Sequence, residues 1–296
     1  MPQSSLPAAA ATTAFNSPMP PPSSFFATAL TGLNNPFGQP ISWVEQTGST
    51  NADLLAGAGD CPAASHQRPF EHGTVLIADS QTAGRGRHGR VWQTPPGAAL
   101  LLSLVLRPPS VTRHRLTWLP LLTGLAVARA LDAWLPTPAM LKWPNDVLVC
   151  LPDGPELATW GRRRKLAGIL VEVAPGNNAG VVVGIGLNLT QQPGQLPVPW
   201  AVSLCQLTDS PFDRVMVAER VLDQLAGLYE RWLANTPGLA AAIAARCWSV
   251  GDQVDDQGVL RRGLRLDDSG GLVLAGQHYE TIITSGEIVS QPLNQL

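Results

Sequence analysis

Val181-Val182-Val183-Gly184-Ile185-Gly186-Leu187-Asn188-Leu189-Thr190, VVVGIGLNLT, reads with a period of two. Val181, Val183, Ile185, Leu187 and Leu189 fall on one face of a strand, and Val182, Gly184, Gly186 and Asn188 on the other. The first face asks to be covered by packed apolar elements. The second has no bulk and one amide. Glycine inside a strand weakens it and marks a close approach, of a ligand or of a neighbouring element. The stretch alone leaves both readings open.

Working outward, KLAGILVEV (165–173) repeats the theme, with Lys165 at the strand start and Gly168 on the face opposite Ile169. GTVLIADSQ (73–81) and AALLLSLVLRP (98–108) are strands, and further strands are expected around 139–149, 166–174 and 180–189. Residues 114–135 carry apolar residues at helical spacing, weakened in the first half by Pro120 and Gly124. From Pro211 the pattern is helical, DRVMVAERVLDQLAGLYERWLA and then GLAAAIAARCW. After Val250 it becomes short β-like runs with turns such as DDSGG (267–271). The expected fold class is α+β: a mixed β-sheet with packed helices over 41–246, then a small β-barrel-like C-terminal domain over 247–296. Residues 1–40, rich in Pro, Ala and Ser, read as a flexible tail.

At 296 residues and a net charge of −2, the chain has a real core and no broad basic surface for nucleic acid or membrane. Cys61, Cys150, Cys205 and Cys247 are far apart and are expected to be buried free thiols, not a zinc site or disulfide framework. No Lys or Arg precedes Arg68, so secretory and mitochondrial leaders are not expected and the location is expected to be cytoplasmic.

Arg85, Arg87 and Arg90 alternate with Gly84, Gly86 and Gly89 in AGRGRHGRVW (83–92). Glycines let backbone N–H groups converge on an anion, and guanidinium forks add paired contacts to phosphate or carboxylate. Such a loop should be mobile when empty and order around its ligand; a solvated loop gripping nucleic acid is the plainer alternative. Trp92 fits either a core position or a cover for a flat ring. G-x-x-x-x-G-K-[ST] and G-x-G-x-x-G are both absent, so any nucleotide is bound by other means. In MLKWPNDVLV (140–149), Lys142, Asn145 and Asp146 share one bend. Lys142 and Lys165 are the chain's two lysines against eighteen arginines, which makes them candidates for places needing a compact cation, a choice their neighbours must decide. Ser49, Thr50 or Asn51 can cap a helix after ISWVEQTG.

Taken together, STN (49–51), Gln81, GRGRHGRVW (84–92), KWPND (142–146), KLAGILVE (165–172) and GIGLN (184–188) resemble the biotin–protein ligases, strongly over about residues 41–205 and more loosely beyond, where SGEI (285–288) matches in kind. The resemblance implies a class II synthetase-like catalytic domain with a C-terminal SH3-like β-barrel. It implies activation of biotin by ATP as biotinyl-5′-AMP, with Mg²⁺, and transfer to a lysine of a biotin carboxyl-carrier domain, for example that of acetyl-CoA carboxylase. By motif, Ser49, Thr50, Asn51 and Gln81 would bind biotin, and Gly84, Arg85 and Arg87 would belong to the closing loop. Arg90 would face phosphate and Trp92 would pack beside the adenine. Lys142, Asn145 and Asp146 would line the nucleotide and metal side, with Asp146 toward Mg²⁺. Lys165 would meet the biotin carboxylate and the reacting phosphoryl, Asn188 would sit near the ATP phosphates, and Gly168, Gly184 and Gly186 would border the ligand. Lys165, Lys142 and Arg87 are the expected catalytic residues.

Residues 1–40 lack the pattern of the winged helix that some relatives carry, so no DNA-binding role is expected. The Leu151–Arg164 loop is longer than a compact hairpin, and its three arginines are expected to be solvated. Arg262 and Arg265 are candidate ATP contacts. Monomer or homodimer stays open. Lipoate–protein ligase, a biotin sensor without catalysis and an RNA-binding domain are the rival readings.

Overall fold

A computed structural model describes residues 33–59, 70–176, 180–276, 279–286 and 288–291, so most of the expected tail and Cys61 lie outside the described residues. The stretch quoted first becomes β7 (Val181–Asn188), the middle of a mixed sheet of seven strands. The others are β1 (Ile41–Thr47), β2 (Val75–Gln81), β3 (Ala99–Leu106), β4 (Met140–Lys142), β5 (Asp146–Cys150) and β6 (Arg163–Val173). Their order is β1-β2-β3-β7-β6-β5-β4. β1 runs parallel to β2 and the remaining pairs are antiparallel.

The two faces of β7 divide as its alternation requires. Val181, Val183, Ile185 and Leu187 join the main core with two helices, α2 (Leu119–Leu131) and α3 (Arg214–Leu233). Each such side chain contributes about 1.5–3 kcal/mol by leaving water. Val182 packs on the opposite face with Leu54 and Ala58 of α1 (Thr50–Ala58). α2 begins after Trp118 with Pro120 in its first turn, where the missing N–H costs nothing. Gly124 lets α2 lie close on β4: a Cβ there would lie 2.8 Å from Leu141 Cδ2. Asp213 caps α3 by accepting from the Met216 N–H at 2.7 Å. No helix among the described residues is long and apolar enough to cross a membrane.

A second sheet has the order β11-β10-β9-β8-β12, from β8 (Gln253–Asp256), β9 (Val259–Leu266), β10 (Leu272–Leu274), β11 (Thr281–Ile283) and β12 (Val289–Gln291). All its described pairs are antiparallel, and β11 and β12 end the series without pairing to each other. Val254, Leu272, Leu274 and Ile288 belong to the main core, so the two sheets share one apolar interior. Trp143 stitches them together. Its backbone N–H donates to Ser249 Oγ at 3.0 Å and its indole to the Gly270 carbonyl at 3.1 Å.

Three expectations need correction. Residues 33–40 are not all tail: Asn35 is buried, donating to Gln39 and Gly73 carbonyls at 2.7 and 2.9 Å, and Leu33 and Phe37 pack on the core. The bend expected at Lys142–Asp146 is present and divides the strand region around 139–149 into the hairpin of β4 and β5, turning at Trp143–Asn145. Of the three loop arginines only Arg162 is exposed. Arg163 pairs with Asp252 and lies 4.3 Å from the Trp248 ring centre. Arg164 donates to the Gly161 and Arg163 carbonyls, and burial pulls its guanidinium below its usual value. The thiol expectation fits Cys247, which is buried, whereas Cys150 and Cys205 are free and half-buried.

Candidate active site

The second face of β7 opens on a cavity of about 250 Å³. Every residue that the catalytic-domain motifs assign to the ligand lines it except Gly84. Gly84 instead closes the arginine hairpin, accepting from the Trp92 N–H at 2.9 Å, and a Cβ there would meet the Trp92 carbonyl at 2.4 Å.

That hairpin is folded. Arg85 bridges Val91, the Gly86 N–H donates to the Arg90 carbonyl at 2.7 Å, and the turn Arg87–Gly89 uses positive φ at His88 (55°) and Gly89 (72°). Arg87 Nη1 donates to Asn145 Oδ1 at 3.3 Å, and Arg85 Nη2 lies 3.3 Å from Glu172 Oε2. Trp92, which follows, is a cavity residue, not a core one. Its ring occupies the space the glycines leave: a Cβ on Gly186 would lie 2.6 Å from Cε2 and one on Gly168 3.1 Å from Cζ3. Gly184 makes the same allowance for Asn51, whose Oδ1 would be 2.2 Å from a Cβ. The bare face of β7 therefore admits side chains from two other elements beside the cavity.

The two lysines arrive from neighbouring strands. Lys165 Nζ sits 2.7 Å from Asp146 Oδ1 and 5.5 Å from the Trp92 ring centre. Lys142, paired with Asp146 in the β4–β5 register, places its Nζ 5.5 Å over Trp160, which stacks on Trp200 at 5.6 Å. Asn145 Nδ2 donates to the Ile169 carbonyl at 2.9 Å, which fixes the bend against β6. Asp146 is the one carboxylate among the lining residues, and no cluster of three or more metal-ligating side chains occurs among the described residues. Cations therefore gather at this end, with a single counter-charge.

The other end is neutral. The Thr50 N–H donates to Gln81 Oε1 at 2.8 Å, and Thr50 Oγ1 lies 3.1 Å from the same oxygen. Ser103 Oγ is 2.8 Å from Thr50 Oγ1 and 2.6 Å from Asn51 Oδ1. Asn51 Nδ2 reaches Glu172 Oε2 at 2.8 Å and the Leu170 carbonyl at 3.2 Å. Asn188 is placed on the glycine face but turned aside. Its Nδ2 donates to the Val202 carbonyl at 3.0 Å and its Oδ1 accepts from Gln191 Nε2 at 2.9 Å, so it ties down the covering segment.

Trp200 escaped the sequence reading, and Ser103, Glu172 and Ile288 were given no individual role by it. Ser103 had a signal, as the one hydroxyl in ALLLSLVL, and Glu172 shares the parity of Gly168 along β6. Gly286 and Ile288, from SGEI, are the C-terminal residues that reach the cavity, whereas Arg262 and Arg265 do not line it. Arg265 pairs with Glu280 at 2.7 Å instead.

The family model described as the biotin/lipoate A/B protein ligase family matches residues 63–188. A biotin--[acetyl-CoA-carboxylase] ligase of Mycobacterium tuberculosis is 39% identical over 83% of this chain and 87% of its own length. The bifunctional ligase/repressor BirA of Bacillus subtilis is 34% identical over 51% of this chain, a match spanning 44% of BirA. Among solved structures, the biotin protein ligase of Aquifex aeolicus in complex with biotin and ATP superposes with a TM-score of 0.67 at 27% identity, covering 85% of this chain and 98% of that one.

Proposed function

The chain belongs to the biotin–protein ligases, and from that premise we propose that it activates biotin with ATP and transfers it to a lysine of a biotin carboxyl-carrier domain, such as that of acetyl-CoA carboxylase. The observation that carries the reading is the polarity of the cavity. An end holding Lys142, Lys165, Arg87 and Arg90 suits a carboxylate meeting a triphosphate, and a neutral end of hydroxyls and amides suits a cyclic urea.

In the first step a biotin carboxylate oxygen attacks the α-phosphorus of ATP, forming the mixed anhydride and expelling pyrophosphate. Two anions must be brought into line, so their charges have to be offset by groups already in place. Lys165 is assigned to the oxygens that change charge, exchanging Asp146 for them, and Lys142 to the polyphosphate. Arg87 and Arg90 act from the hairpin, and Trp92 lies where a nucleobase would stack. In the second step the carrier amine attacks the biotinyl carbonyl, AMP leaves with the bonding electrons, and the amine loses its proton. The hairpin excludes water from the anhydride between the steps.

The donor set suits Mg²⁺ delivered on ATP, held mainly by phosphate oxygens with Asp146 as the protein's ligand. When bound it would neutralise the polyphosphate. Asn188 is assigned to positioning the cover over the site. No DNA or membrane partner enters the reading, and the protein is placed in the cytoplasm.

Biotin-dependent exchange of labelled pyrophosphate into ATP, run beside lipoate, tests the proposal. Exchange with biotin alone is expected. Exchange with lipoate would move the chain to the other branch of its family, and tight biotin binding without exchange would leave a sensor.

A further inference from the structure

The chemistry proposed above gives no task to the loop 151–164, yet the loop is built. Leu157 and Gly161 bridge each other: the Gly161 N–H donates to the Leu157 carbonyl at 2.7 Å, and the Leu157 N–H donates back at 2.9 Å. Thr159 and Gly161 turn the chain with positive φ, 65° and 56°. The Arg164 guanidinium ties the base, donating to the Pro155 and Gly161 carbonyls, and Arg162 donates to the Pro152 carbonyl.

What this turn presents is Trp160. Its indole stacks on that of Trp200, with ring centres 5.6 Å and planes 12° apart, and Lys142 Nζ lies 5.5 Å from the Trp160 ring centre. Trp200 is fixed in turn. Its carbonyl accepts from the Lys165 N–H at 2.6 Å, and the Val202 N–H donates to the Lys165 carbonyl at 2.9 Å. Trp200 and both lysines line the cavity; Trp160 does not.

We propose that Trp160 is a positioning residue, which holds the Lys142 ammonium at the phosphate end of the cavity before ATP arrives. Resting on the ligase reading of the cavity, this adds a residue that acts through Lys142. A lysine stem is flexible, and ordering it on binding costs affinity unless the empty protein has already done so. A ring face within about 6 Å attracts an ammonium, tryptophan most strongly. The ring brings no negative charge to repel a phosphate. Stacking on Trp200 keeps the ring from turning away. Both lysines are thus referred to one covering segment, Lys165 by its backbone and Lys142 through the two rings.

The test compares the full-length protein with Trp160→Leu, Trp160→Phe, Lys142→Met and the double variant Lys142→Met with Trp160→Leu. The probe is α,β-methylene-ATP, which lacks the bond that the first step breaks. Its Kd is measured by calorimetry at saturating biotin, beside biotin Kd and biotin-dependent pyrophosphate exchange. Trp160→Leu should weaken the nucleotide analogue by about tenfold, the scale of one cation–π contact. Trp160→Phe keeps a ring face and should lose about threefold or less. In the Lys142→Met background, Trp160→Leu should cost less than about twofold, because the cation it acts on is gone. Biotin Kd should hold within about twofold throughout.

Unchanged analogue affinity in Trp160→Leu would overturn the inference. So would equal losses in Trp160→Leu and Trp160→Phe, or a full loss persisting without Lys142. A parallel fall in biotin affinity would overturn it too, since that marks a merely structural role. A parent protein that shows no biotin-dependent exchange would instead overturn the function proposed above.

Discussion

Lys165 Nζ and Asp146 Oδ1 are 2.7 Å apart, one from the start of β6 and the other from the start of β5, with side chains only 21% and 12% exposed. The lysine that the chemistry needs is thus held by a carboxylate until an anion replaces it. An arginine keeps the charge but cannot enter the same space as a point cation. Lys165→Arg is expected to lower pyrophosphate exchange by about a hundredfold or more, the scale for removing one placed charge stabiliser. Biotin affinity measured separately should fall far less; equal losses in both would show that Lys165 only binds.

Gly186 faces the Trp92 ring so closely that a methyl group cannot be added without displacing it. Gly186→Ala should push the indole off the sheet at a cost of about 1–3 kcal/mol. The expected signature is a raised ATP KM with a smaller change in Tm. An unchanged ATP KM would mean that Trp92 does not help bind the nucleotide.

Arg163 and Asp252 form a pair with side chains 10% and 12% exposed, joining β6 to the second sheet. Arg163→Met removes the guanidinium that pairs with the Asp252 carboxylate and should cost about 3–5 kcal/mol in urea unfolding. Replacing both, as Arg163→Met with Asp252→Leu, should return most of that. If the single change proves silent, the pair contributes nothing to holding the sheets together.

His72 stacks on Tyr229 at 5.6 Å and accepts from the Arg107 N–H at 3.2 Å. Burial first, and the Arg107 charge second, lower its pKa from 6.5. The unfolded chain then takes up a proton more readily than the folded one. Stability should be full above about pH 6.5 and fall as the pH drops through the lower folded value. Tm measured from pH 8 to 5 should show this decline, and His72→Gln should reduce it.

An escaped acyl-adenylate acylates amines, and this chain offers the ε-amino groups of Lys142 and Lys165, both beside the cavity and half-buried. Incubation with biotin and ATP but no carrier should leave little biotin on the protein by mass spectrometry. Abundant self-labelling would show that the hairpin does not retain the intermediate.

Much of the site was legible because it is written in absences. Gly184 and Gly186 break a strand's bulk on one parity, and Lys142 and Lys165 stand out against arginine; both patterns are local. What stayed hidden depends on direction. Asn188 lies on the predicted face, yet its amide turns to Val202 and Gln191, a contact no periodicity reveals. Arg163 and Arg164 sit in a polar stretch whose composition reads as solvated, and only the fold supplies Asp252 and the backbone carbonyls that bury them. Glu172 looks like an ordinary strand carboxylate until Asn51 and Arg85 are brought to it from distant segments.

Trp143 is flanked in sequence by Lys142 and Pro144, both at the cavity, while its own two N–H groups are claimed by Ser249 and Gly270. A genetic screen for lost ligation would therefore recover lesions at 249 and 270, more than a hundred positions along the chain from Lys142. A map drawn by chain position would file such alleles under a separate module. They would nonetheless fail to complement an allele at 142, because one protomer must carry the bend and its distant anchor together.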